Sequence, residues 1–414
     1  MTQEEGQKAR QLPSWIDSFL EYTDELPSPR ILRLWSAIGG VAGALERRCW
    51  IETGAGPLYP NLFLLFVAPP GVGKDQALVP MRTLWASTGL LNVSPISMTH
   101  KGFVDHLASQ DCKKQVVNLE TNQWDQYHSL LIAVPELGVL LPQHDLGFLS
   151  TLNDLYNCYS LYEEKIRSRD GVLRIENPHI HIIAGTQPKF LGELFPEAAY
   201  GMGFTSRIIM VYASSPVRVP IFQRREKNTA EVFNKLVIDL KQIAGVKGAF
   251  KLADDVIADI EQWHMKDSVS TAPEHSRLVH YNSRRSLHIM KLMMAFSASR
   301  DNSMIITRAD FNMAKSTLLD AEIYMPDIFK DISSGSNQSE MEEIFRYLMQ
   351  RHQKLKQPIS QKQVISFIAS KVPAYQIEPL LNTMLSSGAL KEVTTLKYPG
   401  AERMFEPGVL LKIE

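Results

Sequence analysis

The chain has 414 residues, of which 44% are hydrophobic and 21% are charged, and its 44 basic residues nearly balance its 45 acidic ones. This composition excludes a disordered or collagen-like chain, and the length allows two or three domains with full hydrophobic cores. The net charge of −1 excludes a globally basic protein, so any nucleic-acid surface must be local.

The sequence carries no sign of export or of a membrane segment. No apolar run approaches the ~20 residues that span a bilayer, and the first residues contain no signal-peptide apolar region. The three cysteines are an odd number without metal-ligand spacing, which favours neither a disulfide framework nor a zinc site. We therefore expect a cytoplasmic protein with no membrane partner.

Residues 1–60 are predicted to form a helical N-terminal element. Trp15, Phe19 and Tyr22 stand at helical spacing, and RILRLWSAIGGVAGALERRCWI is predicted to form a second, apolar helix. The glycines of the second helix either weaken it or let another part of the chain approach closely.

Residues 61–217 alternate apolar runs with helical stretches. The four continuous apolar runs lie at 61–68, 129–135, 179–185 and 207–213. Continuous runs are typical of strands that are buried on both faces of a parallel sheet. Together with the helices between them, they predict a doubly wound α/β domain.

The remaining sequence is predicted to be mostly helical. Residues 218–332 have a helical pattern, and 333–340 is a short polar linker. Residues 338–414 are predicted to contain three helices and then a strand–turn–strand around Pro399-Gly400, which is the pattern of a winged helix. Its presumed recognition helix is poor in base-reading residues, so phosphate contacts and a protein-interaction role both remain open.

The strongest motif is VAPPGVGKD at 67–75, between a predicted strand and a predicted helix. In the reference loop G-x-x-x-x-G-K-[ST], backbone amides converge on an anion and the lysine supplies a charge to the β and γ phosphates. Asp75 stands where a hydroxyl residue normally binds Mg²⁺. The candidate nucleotide-binding residues are Pro70, Gly71, Val72, Gly73, Lys74, Asp75 and Gln76. A plain strand-to-helix turn is the alternative.

A second strand, SLLIAVPELGVLL at 129–141, ends in Glu136. A carboxylate beside a phosphate loop can activate the attacking water, and a carboxylate one residue earlier normally holds Mg²⁺. That earlier position is Pro135, so our hypothesis is that Asp75 binds Mg²⁺ directly or through water. The alternatives are that Asp75 repels the phosphates and that Glu136 is only a solvated carboxylate.

Two further strand ends carry candidate residues. HIHIIAGTQP at 179–188 places Thr186 or Gln187 where either can orient the attacking water, unless this is a simple strand-to-loop transition. Arg207 opens the strand after GMGFTSR. An arginine there can face a neighbouring subunit and neutralise charge on the γ-phosphate, or it can lie on the surface.

The order of these motifs resembles the AAA+ P-loop ATPases over roughly residues 12–325. FTSRIIMVY is similar to the arginine-finger stretch of minichromosome maintenance helicases, and it also resembles phage superfamily III helicases. YTDELPSPRILRLWSAIGGVAGALERR, together with LYPNLFLLFVAPPGVGK, resembles a phage- and prophage-borne family of P-loop ATPases that often accompany primase–helicase modules.

The resemblance implies a role for each matching position: Walker A at Lys74 and Asp75, Walker B at Glu136, sensor 1 at Thr186 or Gln187, and the arginine finger at Arg207. SRRSLHIMKLMMAFS at 283–297 resembles the helical lid, in which Arg284 or Arg285 would be the sensor-2 cation. From the sequence alone the two arginines can equally be solvated, although the helix dipole disfavours cations at a helix N-terminus.

The segment EEKIRSRDGVLRIENP at 163–178 is predicted to be a hairpin that turns at Asp170-Gly171. Its candidate nucleic-acid-binding residues are Lys165, Arg167, Arg169 and Arg174. The resemblance implies a hairpin that projects into the pore of a ring, where these cations can bind the phosphates of single-stranded DNA. An exposed polar hairpin without a ligand is the alternative.

We therefore predict an α/β AAA+ core with a helical N-terminal element, a helical lid and a C-terminal winged helix. We expect it to form a homo-oligomeric ring, a hexamer, that binds ATP and Mg²⁺ and acts as a replicative helicase or translocase of phage or mobile-element type. The alternatives are an ATP-switched replication initiator or helicase loader, and a nucleotide-independent DNA-binding scaffold with a degenerate loop.

Overall fold

The computed structural model describes residues 10–117, 124–141, 145–165, 171–195, 197–220, 222, 229–370, 374–393 and 403–408. The chain divides into two units, Met1–Phe329 and Lys330–Glu414. The segments predicted from sequence as N-terminal element, α/β core and most of the helical lid all belong to the first of these units.

The α-helices of the described residues are numbered in chain order: α1 Trp15–Tyr22, α2 Arg30–Leu45, α3 Lys74–Thr88, α4 His100–Leu107, α5 Leu137–Leu140, α6 Leu146–Tyr156, α7 Pro188–Leu194, α8 Glu197–Gly201, α9 Thr229–Ile243, α10 Asp254–Gln262, α11 Ser268–Ser270, α12 Val279–Asn282, α13 Arg285–Arg300, α14 Arg308–Glu322, α15 Met325–Leu355, α16 Gln361–Ala369 and α17 Ala374–Ser386. Short 3-10 turns lie at Glu46–Arg48, Thr205–Arg207 and Ser276–Leu278, and Trp263–Asp267 is π-helical.

The strands are β1 Cys49–Thr53, β2 Gly56–Leu58, β3 Phe63–Val67, β4 Lys113–Val117, β5 Trp124–Val134, β6 Leu161–Lys165, β7 Val172–Glu176, β8 Pro178–Thr186, β9 Ile208–Tyr212, β10 Gly248–Ala249, β11 Lys251–Leu252, β12 Ile305–Ile306, β13 Ile359–Ser360, β14 Leu390–Val393 and β15 Met404–Pro407.

The central sheet of the first unit has the order β4-β5-β8-β3-β9. The last four strands in this order run parallel to one another, and β4 pairs antiparallel with β5. The parallel strands are the four apolar runs of the sequence, so their prediction is confirmed. The sequence did not predict β4, because its residues, KKQVV, are only partly buried and have no continuous apolar pattern.

Helices cover both faces of this sheet. The Phe63 ring meets the Tyr156 ring of α6 with the centroids 4.8 Å apart. The neighbouring Leu64 lies against α2, where its Cδ1 atom would be 2.7 Å from a Cβ added at Gly39. Successive side chains of a strand point to opposite faces, so α2 and α6 lie on opposite sides of the sheet. This arrangement confirms a mixed α/β fold.

The glycines of α2 allow it to pack closely in this first unit. A Cβ at Gly40 would lie 2.1 Å from Met81 Sδ of α3, and one at Gly43 would lie 2.8 Å from the Trp85 ring. The sequence left open whether these glycines weaken the helix or admit a close neighbour. The structure shows the close neighbour. The helix ends at Leu45, however, and the last residues predicted to belong to it, 49–51, lie in β1, where Cys49 and Trp50 pair with β10.

The second unit contains the three-stranded antiparallel sheet β13-β15-β14. Its helices and strands enclose an apolar cluster that includes Leu348, Ile359, Val364, Ile368, Met384 and Phe405. The predicted second and third helices correspond to α16 and α17, and the predicted strand pair corresponds to β14 and β15. The turn predicted at Pro399-Gly400 lies outside the described residues.

The polar linker predicted at 333–340 is wrong, because α15 runs through it from Met325 to Leu355. Serine, asparagine and glutamine lower helix stability by only ~0.7 kcal/mol or less each, and Gly335 by ~1 kcal/mol. Such costs do not stop a helix that continues on both sides of the segment.

Buried histidines make the first unit sensitive to acid. His179 and His181 of β8 and His288 of α13 are fully buried. Burial lowers the pKa of His179 and His181 well below its ordinary value, and it lowers the pKa of His288 to about 3. The folded unit therefore binds fewer protons than the unfolded chain in mild acid. Its stability is fully present above the unfolded histidine pKa of ~6.5 and is lost as the pH falls below that value.

We expect the free energy of unfolding to fall by about 1.4 kcal/mol per buried histidine between pH 7.5 and 5.5. Urea titrations followed by tryptophan fluorescence measure this in the first unit alone, because all six tryptophans precede residue 330. His179→Leu should remove about one histidine's share of the loss, whereas His280→Gln, at an exposed site, should leave it unchanged. Equal pH dependence in all three proteins would contradict this assignment.

Candidate nucleotide-binding site

The carboxyl ends of β3, β5 and β8 form one edge of the sheet, and three candidate motifs follow these ends directly. Val67 pairs with Thr186 between β3 and β8, and Val134 pairs with Ala184 between β5 and β8. A Cβ at Gly185 would lie 2.2 Å from Pro135 O and 3.5 Å from Lys74 Cδ. The register therefore brings the glycine loop, the Walker B candidate and the sensor candidate together.

The loop between β3 and α3 needs glycine at two positions. Gly71 and Gly73 have φ of 80° and 92°, in the left-handed region that side chains with a Cβ disfavour. A Cβ at Gly73 would also lie 2.0 Å from Pro27 O, whereas one at Gly71 would meet nothing within 4 Å. Val72, at 2% exposed, anchors the loop in the core between them. Pro70 lies exposed beside them.

Lys74 is the first residue of α3 and is only 7% exposed. Its Nζ atom donates a hydrogen bond to the Ala68 carbonyl oxygen at 2.8 Å, and it forms no ion pair with any described residue. Burial lowers the pKa of Lys74, while the nearby carboxylates of Glu136 and Asp75 act in the opposite direction. An ammonium group that is held by a carbonyl and flanked by glycine amides is suited to receive a phosphate.

Two buried polar atoms without partners lie where β8 ends. Thr186 Oγ1 and Gln187 Oε1 are buried, and neither has a hydrogen-bond partner within the described part of the chain. Gln187 Nε2 lies 3.5 Å from Glu136 Oε1, so the sensor and Walker B candidates are neighbours. Buried polar atoms are normally satisfied, so unpaired ones at the end of a strand indicate a ligand or water site.

Asp75 and Gln76 lie exposed on the first turn of α3. The described residues contain no group of three or more His, Cys, Asp or Glu side chains that could hold a metal ion. Mg²⁺ needs no such group, since it is commonly bound through one or two carboxylates, water and substrate phosphates. A single exposed carboxylate at Asp75 is compatible with such a phosphate-dependent Mg²⁺ site.

Arg207 lies at the opposite end of the sheet from the loop. It directly precedes β9, whose first residue Ile208 pairs with the first residue of β3, so the five residues of β3 separate it from the loop by about 17 Å. Its guanidinium donates to Gly203 O at 2.7 Å and to Asn157 Oδ1 at 3.3 Å. Burial and the neighbouring Arg284 lower the pKa of Arg207.

Neither sensor-2 candidate is supported by its surroundings. Arg285 is fully buried, and its Nε and Nη2 atoms bind the Glu322 carboxylate at 2.7 and 2.5 Å. This ion pair joins α13 to α14 and occupies the guanidinium. Arg284 is close enough to Arg207 and Tyr156 to affect their pKa values, which places it near the end of the sheet away from the loop.

A buried lysine that the sequence prediction missed lies at this same end. Lys291 of α13 is 2% exposed, and its Nζ donates to the backbone and side-chain oxygens of Asn61 at 2.8 and 2.6 Å. Nζ also lies 4.2 Å from the centre of the Tyr156 ring. Burial lowers the pKa of Lys291 to about 7. A lysine inside the apolar run HIMKLMMAF is the signal that could have revealed it.

The predicted hairpin is present as the antiparallel pair β6 and β7, in which Lys165 pairs with Val172. Lys165 and Arg174 are exposed, but Arg174 Nε also bonds to Glu163 Oε1 at 2.8 Å. Arg167 and Arg169 lie outside the described residues. The hairpin leads directly into the amino end of β8, so it lies at the same end of the sheet as Arg207.

A scan against profiles of known protein families finds no match to this chain, and no curated protein matches it. Within the described residues, no helix is both long and apolar enough to cross a lipid bilayer. The function of this chain must therefore be inferred from its own residues.

Lys74→Met should weaken ATP binding by about 10- to 100-fold, because it removes a charge-assisted hydrogen bond worth about 1.5–3 kcal/mol. Methionine keeps most of the apolar stem of the side chain. Calorimetric titration with ATP and Mg²⁺ measures the effect, and Lys241→Met, at an exposed position of α9, is the matched control. Equal affinity of the two variants would contradict a phosphate-binding role for Lys74.

Proposed function

We propose that this protein is a DNA-acting ATPase that works as a homo-oligomeric ring, expected to be a hexamer. We place it among the AAA+ P-loop proteins, as a replicative helicase or translocase of phage or mobile-element type. The observation that carries the proposal is the cluster at the carboxyl end of the sheet. There a buried lysine without an ion-pair partner among the described residues lies beside a glycine loop and a carboxylate, and two unpaired polar atoms lie where the neighbouring strand β8 ends.

The topology supports a ligand at this position. From β3 the chain continues to β5, which lies on one side of β3 in the sheet. Later the chain passes from β8 to β9, which lies on the other side of β3. Open α/β sheets bind their ligands outside the carboxyl ends of the strands, where successive connections go in opposite directions. The glycine loop follows β3 and therefore lies at such a point.

Each side chain of the cluster would have its own role in ATP hydrolysis. Lys74 and the loop amides would hold the β and γ phosphates, and Asp75 would bind the Mg²⁺ that neutralises their charge. Glu136 would accept a proton from the attacking water. Thr186 and Gln187 would orient that water, since each has a buried oxygen atom available for a hydrogen bond.

The position of Arg207 supports a site shared between subunits. It lies about 17 Å from the loop of its own chain, which is too far for a contact with phosphates bound there. If Arg207 acts on a nucleotide, that nucleotide is therefore held by another subunit. Within its own chain Arg207 is 9% exposed, and its guanidinium donates to Gly203 and Asn157.

Two features support DNA as the partner. The β6–β7 hairpin carries exposed Lys165 and Arg174, and its sequence adds Arg167 and Arg169. Cations on a projecting hairpin bind the phosphates of a single strand without reading its sequence. In the second unit, the order of helices α15 to α17 and strands β13 to β15 supports the winged-helix assignment. Many winged-helix domains bind nucleic acids.

Light scattering with and without ATP and single-stranded DNA, alongside ATP turnover, tests this function. We expect ATP-dependent assembly and DNA-stimulated hydrolysis. Arg207→Ala should lower turnover by ~10³-fold or more while sparing ATP binding, because an arginine finger acts on the transition state.

Two outcomes would contradict the motor, and a third would contradict only the nucleotide site shared between subunits. Assembly with slow turnover and full DNA binding would select an initiator or helicase loader that ATP only switches. DNA binding without any nucleotide binding would select a scaffold with a degenerate loop. Equal loss of ATP binding and hydrolysis in Arg207→Ala would argue against its action on a neighbouring subunit.

A further inference from the structure

A cavity of about 620 Å³ lies at the amino end of the sheet, away from the nucleotide loop. It opens between β1, β10 and the edge formed by β4 and β5. Among its lining residues are Arg47, Trp50, Tyr59, Asn177, Lys247 and Lys251. We call it the β1–β10 cavity. Neither the motifs of the sequence nor the ATPase site uses these residues.

Three cations of this cavity have no carboxylate partner in the described part of the chain. Lys247 and Lys251 form no ion pair or side-chain hydrogen bond there. Arg47 donates only to the carbonyl oxygens of Cys158, Tyr159 and Pro178. A cation that binds only carbonyl oxygens, or that has no hydrogen-bond acceptor, keeps its charge available for an anion.

The acidic residues of the lining do not cancel this charge. The lining contains two acidic residues, Glu52 and Asp125, against three cations without a carboxylate partner among the described residues, and Glu52 already accepts a hydrogen bond from the Trp50 indole N–H. A fourth cation of the lining, Arg48, is paired with the buried Glu46 at 3.4 Å. The cavity therefore has an excess of positive charge, although the whole chain is nearly neutral.

Aromatic rings stand beside these cations. The guanidinium carbon of Arg47 lies 4.3 Å from the centre of the Tyr59 ring. Trp50, on β1, is partly exposed, and β1 pairs with β10 immediately after Lys247. A planar aromatic surface next to unpaired cations is the combination that binds bases by stacking and their phosphates by charge.

The cavity is joined to the basic hairpin at both of the hairpin's strands. Arg47 binds the carbonyl oxygens of Cys158 and Tyr159, close before β6 begins. Asn177 lines the cavity and directly follows β7, and its Nδ2 atom donates to Gln126 O at 2.8 Å. The base of the hairpin therefore adjoins the cavity.

We propose that the β1–β10 cavity is a second contact site for single-stranded nucleic acid, continuous with the hairpin. A base would stack on Trp50 or Tyr59, and flanking phosphates would contact Arg47, Lys247 and Lys251. The volume suits a splayed nucleotide rather than paired strands. This inference rests on the proposed action on DNA, but it assigns residues that the hairpin and the ATPase motifs leave unused.

Fluorescence anisotropy with a labelled dT20 strand tests the site in the full-length protein. Trp50→Ala should lower affinity by about 5- to 150-fold, which corresponds to the ~1–3 kcal/mol of base–aromatic stacking. Lys247→Ala/Lys251→Ala should also weaken binding. It should make the dependence of log affinity on log salt shallower by about 1.4, because each of the two phosphates that these lysines neutralise adds ~0.7 to the slope. Lys241→Ala, an exposed lysine outside the cavity, is the control and should bind like the unaltered chain.

Photo-crosslinking of the unaltered protein to a dT20 strand that contains 5-iododeoxyuridine gives a test that does not depend on the folding of variants. We expect a crosslink at Trp50 or Tyr59. Unlabelled thymidine monophosphate should compete only weakly, because one nucleotide cannot also bind along the hairpin. Competition by the monophosphate as strong as by the strand would instead mean a mononucleotide site and would overturn the proposal.

The outcomes separate this inference from the proposed function. If dT20 binds and Lys165→Ala/Arg174→Ala weakens it while the cavity variants do not, the cavity site is wrong and the DNA-acting ATPase survives. If dT20 does not bind the unaltered chain under any nucleotide condition, both fail. Loss of affinity in the cavity variants, together with a crosslink at Trp50 or Tyr59, supports both.

Discussion

The ammonium group of Lys74 is held at the carboxyl edge of the sheet with a backbone carbonyl as its hydrogen-bond acceptor. Removing such a charge from water is unfavourable unless opposite charges or polar groups replace the lost hydration. Glu136 and Asp75 supply part of this compensation. The parallel register of three strands keeps these groups together, and unpaired oxygens of Thr186 and Gln187 lie where β8 ends. A bound triphosphate would complete the compensation, which is why the cluster is interpreted as a nucleotide site.

The groups proposed to bind the nucleotide and those proposed to bind DNA or a neighbouring subunit lie at opposite ends of the sheet. The nucleotide cluster follows the carboxyl ends of the strands, whereas Arg207, the β6–β7 hairpin and the β1–β10 cavity lie at the amino ends. About five strand residues separate the two ends, so neither set of groups can touch the ligand of the other within one chain. The sheet can link them only as a rigid body, which fits a device in which one subunit's nucleotide state is sensed by its neighbour.

The sequence predicts what depends on local pattern. Continuous apolar runs identified the four parallel strands, and the glycines around Lys74 identified the loop, because both signals lie within a few residues. The buried ion pair of Arg285 and Glu322 joins residues that are 37 positions apart in the chain. No local sequence signal therefore distinguishes Arg285 from a nucleotide-binding arginine. The β1–β10 cavity gathers residues from 47 to 251 and emerges only once the chain is folded. The polar segment at 333–340 has a composition that favours a linker, but it lies within helix α15.

The most direct test of a nucleotide site shared between subunits mixes two inactive proteins. Chains with Lys74→Met lack the proposed phosphate-binding lysine but keep Arg207, and chains with Arg207→Ala keep Lys74 and Glu136. A mixed ring contains interfaces that combine an intact loop from one chain with an intact arginine from the other. We predict that mixing restores ATP turnover that neither protein shows alone. A mixture as inactive as its components, in rings shown to contain both chains, would contradict the shared site.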